Sequence, residues 1–176
     1  LGYRPDHGQD ARYHRIKVRL KDARGYQLQY RDGYTSLSTD VQLVRLLLTP
    51  FSMSLQQPSA MAFSVKAGDA RRSGDTTTIP LTARIPVKNL QFVPAASGFD
   101  AQVDLYVSIF DARGRNVSLQ RYTTRAHAAD DAGQQAGDLI HNATVKVKSG
   151  QPYTVVVAVR DSLTEAFAMN SQTLQF

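Results

Sequence analysis

Residues 143–161 read ATVKVKSGQPYTVVVAVRD, and this stretch decides the fold class. Valines alternate with lysines up to residue 148, and the alternation resumes at Tyr153 with every second valine after it. A period of two is typical of strands with one buried face, and Ser, Gly and Pro between the two runs favour a turn. The stretch therefore predicts two antiparallel core strands joined as a hairpin.

The same alternation recurs throughout the chain beyond residue 50. It predicts strands over 60–67, 77–87, 101–110, 117–122 and 166–176. Residues 124–138, rich in Ala, Gly, Asp and Gln, are expected to form a mobile loop. Pro80 and Pro86 have no backbone N–H to donate to a neighbouring strand, so we expect the strand over 77–87 to lie at a sheet edge or to contain a bulge. Tyr153, three residues after Gly150, resembles the tyrosine corner of immunoglobulin sandwiches, although the spacing differs.

A hairpin is predicted near the start of the chain. Alternation begins at Tyr13 and places His14, Ile16, Val18 and Leu20 on one face, which we expect to be buried. Residues 22–25, Asp-Ala-Arg-Gly, match a type I turn, and alternation returns through Tyr26, Leu28 and Tyr30 to Tyr34. We expect the three apolar residues of this second strand to face the core.

A short helix is predicted between the hairpin and the later strands. Ser38 or Thr39 is a suitable cap, and Pro50 a stop, for a helix over 39–48. Its apolar stripe would comprise Val41, Val44, Leu47 and Leu48. The sequence thus predicts a mainly β chain with a hairpin over 1–34, a linker helix within 35–50 and an immunoglobulin/fibronectin III-like β-sandwich over 51–176.

Composition narrows the function classes. The 176 residues contain 42% hydrophobic residues and no apolar run near eighteen, which favours a soluble globular chain without a membrane span. There is no cysteine, which excludes disulfides and thiolate metal sites. Of the net charge of +6, +5 falls within the first 31 residues, so the basic character belongs to the hairpin. Because the chain starts at Leu1 without a leader pattern, we expect it to be part of something larger.

Three segments of the hairpin region, Leu1-Gly2-Tyr3, residues 13–21 and residues 31–34, resemble the closing strands of bacterial von Willebrand factor A-related domains. In that family a Gly-Tyr strand end precedes a His-x-Ile-x-Val-x-Val/Leu strand and an Arg-x-Gly-Tyr terminus, often followed by a β-sandwich. The resemblance implies an extracytoplasmic, non-enzymatic binding or scaffold protein. The family's Asp-x-Ser-x-Ser loop, whose oxygens suit Mg²⁺, does not occur in this sequence, so no metal residues are carried over.

The four histidines are weak candidates for catalysis or metal binding. His14 lies within a predicted strand and His141 at the approach to one, where histidines are usually structural. His7 lies in a polar loop. His127 with Asp130 and Asp131 supplies metal-ligand types, but a solvated loop is the favoured interpretation because nothing there fixes geometry. The sequence also lacks a phosphate-binding loop and a Gly-x-Ser-x-Gly elbow, so we expect neither an enzyme nor a cofactor.

Two alternatives to a protein-contact module remain open. Arg15, Lys17 and Arg19 form a basic face that could contact nucleic acid or another polyanion, and Tyr26 or Tyr30 could stack on a base. A sugar-binding sandwich would need exposed tyrosines such as Tyr106 or Tyr122, because the chain has no tryptophan. An exposed edge of the hairpin could also pair with a second copy to form a homodimer. The favoured prediction is a non-catalytic module for protein contact or spacing.

Overall fold

The computed structural model describes residues 12–21, 25, 27, 29–50, 52, 61–131 and 133–175. The chain divides into two compact units, Leu1–Val44 and Arg45–Phe176. The division falls inside the predicted linker 35–50, and the predicted domain bounds stay a prediction. Leu1-Gly2-Tyr3, His7, Asp22 to Arg24, Tyr26 and Leu28 lie outside the described residues.

The first unit contains a short hairpin. Strands β1 (Tyr13–Arg15) and β2 (Gly33–Thr35) pair antiparallel, with His14 opposite Tyr34. These two rings stack with centroids 5.1 Å apart, which is a structural role for His14.

The predicted hairpin strands are longer than the observed ones. Leu20 and Tyr30 are 41% and 44% exposed, so the expectation that they are buried was wrong. Alternation specifies two faces, but a face is buried only where another layer packs on it. Ile16 and Val18 are half-buried, and beyond Ile16 the described residues continue without a regular ladder.

Helix α1 (Thr39–Leu47) begins at the predicted cap. The backbone N–H of Val41 donates to Ser38 Oγ at 3.3 Å, and Asp40 lies in the first turn, where it complements the helix dipole. The predicted stripe was partly wrong. Leu43 and Leu47, one turn apart, are buried. Val41, on the far side of the helix, is 38% exposed, and Leu48, which follows the last helical residue, is 47% exposed.

The second unit is built from two antiparallel sheets. Its strands are β3 (Ser64–Ala67), β4 (Arg71–Ser73), β5 (Thr76–Pro86), β6 (Val93–Ala95), β7 (Gly98–Asp111), β8 (Asn116–Ala128), β9 (Asp138–Lys148), β10 (Tyr153–Asp161) and β11 (Phe167–Leu174). Single 3₁₀ turns occur at Val87–Asn89 and Gly133–Gln135.

The strand order is that of a fibronectin III-like sandwich. In one sheet β5 is central, with β9 along one edge and β3 and β4 in line along the other. In the other sheet β7 and β10 are central, β8 flanks β7, β11 flanks β10, and β6 pairs with the start of β7. The inner faces of both sheets contribute to one core, which includes Ile79, Leu81, Ile85, Val103, Leu105, Val107, Val145, Val155 and Val157. The predicted fold class is confirmed.

The valine-rich stretch forms two strands, but they are not a hairpin. Strand β9 pairs with β5 and β10 pairs with β7 and β11, so residues 149–152 cross between the sheets. Alternation could not reveal this, because Val147 and Val155 face the core in either arrangement. Tyr153 is buried at this corner and its hydroxyl accepts from Gln151 Nε2 at 2.5 Å.

Pro80 lies in a central strand, not at the predicted edge or bulge. Its carbonyl accepts from Gly68 N at 2.8 Å, on the side of β3 and β4. A strand residue directs its N and O to the same side, so the missing N–H faces the gap between β3 and β4, where no ladder partner is needed. Gly68 has no Cβ, and a Cβ there would meet the Pro80 ring at 2.9 Å.

Strand β8 continues to Ala128, through the first five residues of the segment predicted as a loop. Ala126 and Ala128 occupy inward positions, and alanine carries little of the apolar and β-branched signal by which strands are recognised. Asp111 to Gly114 forms the predicted turn, with Gly114 N donating to Asp111 O at 2.9 Å and Gly114 at φ +72°. Across the described ranges, no helix is both long and apolar enough to cross a bilayer.

Candidate binding cleft

A cleft of about 330 Å³ lies at one end of the sandwich, beside the β10–β11 turn. Apolar walls come from Val93 and Leu163, which are 42% and 55% exposed. The remaining lining residues are Gln91, Asp100, Ala101, Gln102, Arg125 and Ser162. A concave surface with apolar walls and a few polar groups is the usual form of a recognition site, and this volume is at the small end of the range.

Asp161 fixes the shape of the cleft. Its buried carboxylate accepts from the backbone N–H groups of Leu163 and Thr164 through Oδ1, at 2.8 and 2.9 Å. Oδ2 accepts from Gln91 N at 2.8 Å. One side chain therefore holds both the turn that presents Leu163 and the segment that leads into β6. Because these donors are backbone groups, the two walls are ordered before any ligand binds.

Arg125 is the charged group of the cleft with unused bonding capacity. Its Nε donates to Gln102 Oε1 at 3.4 Å, and Gln102 Nε2 donates to Ser162 Oγ at 3.4 Å. Within the described part of the chain, the two terminal amino groups of Arg125 have no hydrogen-bond partner, so its planar fork can receive a carboxylate. Asp100, on the same face, is already paired with His127 Nδ1 at 2.8 Å.

A buried ionic network contacts the cleft through Ser162. The Asp104 carboxylate is 3% exposed and accepts from Thr123 Oγ1 at 2.7 Å, Arg160 Nη1 at 3.0 Å and Arg121 Nη2 at 3.1 Å. Ser162 Oγ also donates to it at 3.4 Å. Burial alone would raise the pKa of Asp104, but the bonds from Thr123 and Arg121 and the two guanidinium charges outweigh it and hold the pKa below its usual value.

Glu165 completes this network from the β10–β11 turn. Its backbone has φ +62°, a left-handed conformation that residues other than glycine adopt only at a cost in free energy. Its Oε1 accepts from Arg160 Nη2 at 3.2 Å, and its N–H donates to Asp161 O at 3.0 Å. The turn is thus tied to β10 by an ion pair as well as by Asp161, and both ties reduce its freedom.

The predicted basic face is exposed. Arg15, Lys17 and Arg19 all reach solvent, and so do Tyr13, at 62%, and Tyr30. The second stacking candidate, Tyr26, is not among the described residues.

The predicted sugar-contact tyrosines do not form an exposed platform. Tyr106 is fully buried, with the Arg121 guanidinium 5.3 Å from its ring centre, so its assignment was wrong. It lies on the outer face of β7, which alternation assigned to solvent but which the fold covers. Ser108 on this face is also buried and donates to Leu47 O at 2.6 Å, so the end of helix α1 lies over it. Tyr122 is half-buried and its hydroxyl donates to Gln120 Oε1 at 2.6 Å.

The suggested His127 metal cluster is not assembled. His127 pairs with Asp100, whereas Asp130 Oδ1 accepts from Gly133 N at 2.8 Å and Asp131 Oδ1 from Gln134 Nε2 at 3.1 Å. In the ranges that the structure describes, no group of three or more His, Cys, Asp or Glu side chains is placed to share a metal ion.

His141 has a structural environment, as expected. Its Nδ1 is 2.8 Å from Thr124 Oγ1, and its ring lies 4.8 Å from that of Tyr122. Burial lowers the pKa of His141. These contacts join β8 to β9 at the side of the sandwich.

Sequence reasoning missed the residues of the cleft. An Asp-Ser-x-Thr run after a strand is a turn signal, so Asp161 could have been identified as a turn anchor. Nothing in the pattern indicates that Arg125 on β8 and Leu163 on a different connection meet. Their juxtaposition depends on the pairing of β7 with both β8 and β10.

No family model and no curated protein matches the chain. Among solved structures, Bacteroides uniformis β-glucuronidase aligns at 11% identity with a TM-score of 0.44, over 65% of this chain and 13% of the enzyme. A glycoside hydrolase family 2 β-glucuronidase aligns at 14% identity and 0.44, over 66% and 11%. A glycosyl hydrolase family 2 member from Bacteroides cellulosilyticus aligns at 12% identity and 0.43, over 66% and 14%. The chain thus spans a small part of these enzymes, and its own strand pairing defines its fold.

Proposed function

We propose that this protein is a non-catalytic binding or scaffold module that contacts another protein through the cleft beside the β10–β11 turn. The observation that carries the proposal is the Asp161 anchor, which holds both cleft walls in place. A rigid surface binds with a small loss of conformational entropy, and loops at the end of a sandwich are a common recognition surface.

The chemistry of the cleft defines the contact. Val93 and Leu163 offer exposed apolar area, and Arg125 offers two terminal amino groups that have no hydrogen-bond partner among the described residues. This combination fits a protein segment with an apolar side chain next to a carboxylate. The buried carboxylates nearby serve the fold: Asp104 has a lowered pKa, whereas a general acid needs a pKa near the working pH.

An extracytoplasmic location belongs to the same proposal and rests on the resemblance to von Willebrand factor A-related domains. The gene sequence upstream of Leu1 tests it. A leader peptide and an Asp-x-Ser-x-Ser loop would support it, and an initiating Met directly before Leu1 would oppose it.

A capture experiment with matched variants tests the cleft. The wild-type chain, Leu163→Ser, Arg125→Glu and Val117→Ser are each immobilised and exposed to the extracytoplasmic fraction of the source cell. Val117 is 51% exposed on β8 but lies outside the cleft, so its variant controls for the loss of an exposed apolar side chain. We expect a protein retained by the wild type and by Val117→Ser and lost with both cleft variants. Equal retention by all four would show that the cleft is not the contact surface.

Polyanion binding by the first unit is a second candidate, favoured by the exposure of Arg15, Lys17 and Arg19 together with Tyr30. Replacing the three basic residues by Glu should abolish salt-sensitive binding to heparin or single-stranded DNA. The control replaces three exposed basic residues of the second unit, Lys66, Arg71 and Arg72. No binding by the wild type at low salt would remove this candidate. A carbohydrate function would have to do without Tyr106.

A further inference from the structure

Strand β9 has an open edge. Its eleven residues pair with β5 over the whole length, and no other described strand pairs with it. The register contains no bulge from Asp138, opposite Pro86, to Lys148, opposite Thr76. β9 also contains no proline. An uninterrupted, unpaired edge of this length is a template for another strand.

The orientation of Pro80 on β5 shows which backbone groups of β9 point towards its open edge. The Pro80 carbonyl faces β3 and β4, so Thr144, its partner across β5 and β9, must direct its N–H and C=O away from β5. Ser149 N, five residues later, donates towards Asp75 O at 2.7 Å, as expected for an odd-numbered residue. The outward backbone groups therefore belong to the even-numbered residues: Asp138, Ile140, Asn142, Thr144, Lys146 and Lys148.

The side chains of these six residues are also exposed, and Ile140 is 46% exposed. Their order is self-complementary. When β9 runs antiparallel to a second β9, a two-fold register places Asp138 opposite Lys148, Ile140 opposite Lys146 and Asn142 opposite Thr144. Each pair occurs twice because the interface is isologous.

We propose that two copies of this chain associate through β9 in this register, which joins their β5-containing sheets into one continuous sheet. Lysines on an edge usually discourage pairing, but here Lys148 meets a carboxylate. Asp138 is 3.8 Å from Arg84 Nη1, and both side chains are well exposed at 40% and 49%, so this weak pair leaves the carboxylate available.

Neighbouring registers are less favourable. Sliding one β9 by one residue along the other would place even-numbered residues, whose backbone groups point outwards, opposite odd-numbered residues, whose backbone groups are already bonded to β5. Moving the two-fold axis one residue towards the C-terminus places Lys148 opposite Ile140 and loses both ion pairs. Moving it one residue towards the N-terminus places Asp138 opposite Lys146 but leaves Lys148 beyond the partner strand. Charge and bonding pattern thus select the proposed register.

Thr144→Pro tests the backbone pairing without disturbing the protomer, because the N–H it removes points away from β5. Thr144→Val keeps the N–H and is the matched control. Sedimentation velocity over a concentration series should show a dimer for the wild type and Thr144→Val, and a monomer for Thr144→Pro. Circular dichroism checks that all three remain folded.

Charge reversal tests the register. Lys148→Glu and Asp138→Lys each place like charges opposite one another at two points, and each should weaken the dimer about tenfold or more. The double variant restores opposite charges and should recover the wild-type association. A wild type that stays monomeric into the millimolar range, or a dimer unaffected by Thr144→Pro, would overturn the proposal. Binding of an acidic extended peptide along β9 by a monomeric wild type would equally overturn it.

Discussion

Replacing Asp104 by Asn should destabilise the sandwich strongly. The substitution keeps the shape and one acceptor oxygen but removes one of the two carboxylate charges that compensate Arg160, whose side chain is 10% exposed; the other carboxylate, that of Glu165, is 36% exposed. Arg121 is 48% exposed and can return to water, so most of the loss comes from Arg160. Removing one partner of a buried pair costs about 3–5 kcal/mol. Because Glu165 still pairs with Arg160 and one acceptor oxygen is retained, we expect a loss at the low end of this range, about 3 kcal/mol.

The matched control is Asp100→Asn, the same chemical change four residues earlier on the same face of β7. Asp100 and His127 are 48% and 51% exposed, so breaking this pair should cost less than about 1 kcal/mol. Because the chain contains no tryptophan, urea unfolding is followed by far-ultraviolet circular dichroism. If the two variants lose equal stability, the argument from burial is refuted.

The Asp104 network also has a pH signature. Since the folded pKa of Asp104 is lowered, its contribution is complete above the unfolded pKa, about 3.9, and is lost as the pH falls through the folded value. Asp104→Asn should therefore lose less stability than the wild type on acidification below about pH 4. In addition, combining Asp104→Asn with Arg160→Gln should cost less than the sum of the single variants, because the second change removes the buried guanidinium that has lost its Asp104 partner.

Two further variants test the fold. Burial lowers the pKa of His141 in the folded protein. The wild type should therefore lose stability as the pH falls from the unfolded pKa of histidine, about 6.5, towards the folded pKa. His141→Gln should abolish this dependence, and unfolding measured at pH 8 and pH 5 gives the comparison. Ser108→Ala should cost about 1–3 kcal/mol, because it leaves Leu47 O and Asn116 Nδ2 without the buried hydroxyl that each contacts at 2.6 Å; a urea midpoint equal to that of the wild type would contradict this.

The helix start and the turn at Asp111 were predictable because both depend on local chemistry. A Ser three residues before a helical N–H and an Asp-x-x-Gly turn satisfy backbone groups within a few residues of chain. The burial of Tyr106 was not predictable. Its position alternates correctly with Val107 and Leu105, yet the outer face of β7 is covered by chain that comes from another part of the sequence.

In the cleft, too, local contacts were predictable from the sequence and long-range contacts were not. Asp161 acts within its own turn and is visible as a local signal, but it also reaches Gln91 N, 70 residues away. Arg125 and Leu163 become neighbours only because β8 and β10 flank the same strand. A sequence pattern contains no information on such distances.

The sequence by itself determined that this chain forms strands, in which region of the chain each long strand of the second unit lies, and which of their side chains face the core between the two sheets, because the period of two is a property of the extended backbone. Only the tertiary structure decided which strands are neighbours. Residues 143–161 place the same valines in the core as a hairpin or as a crossing between sheets, and the choice depends on the long-range pairing of β9 with β5 and of β10 with β7. That choice creates both the cleft and the open edge of β9.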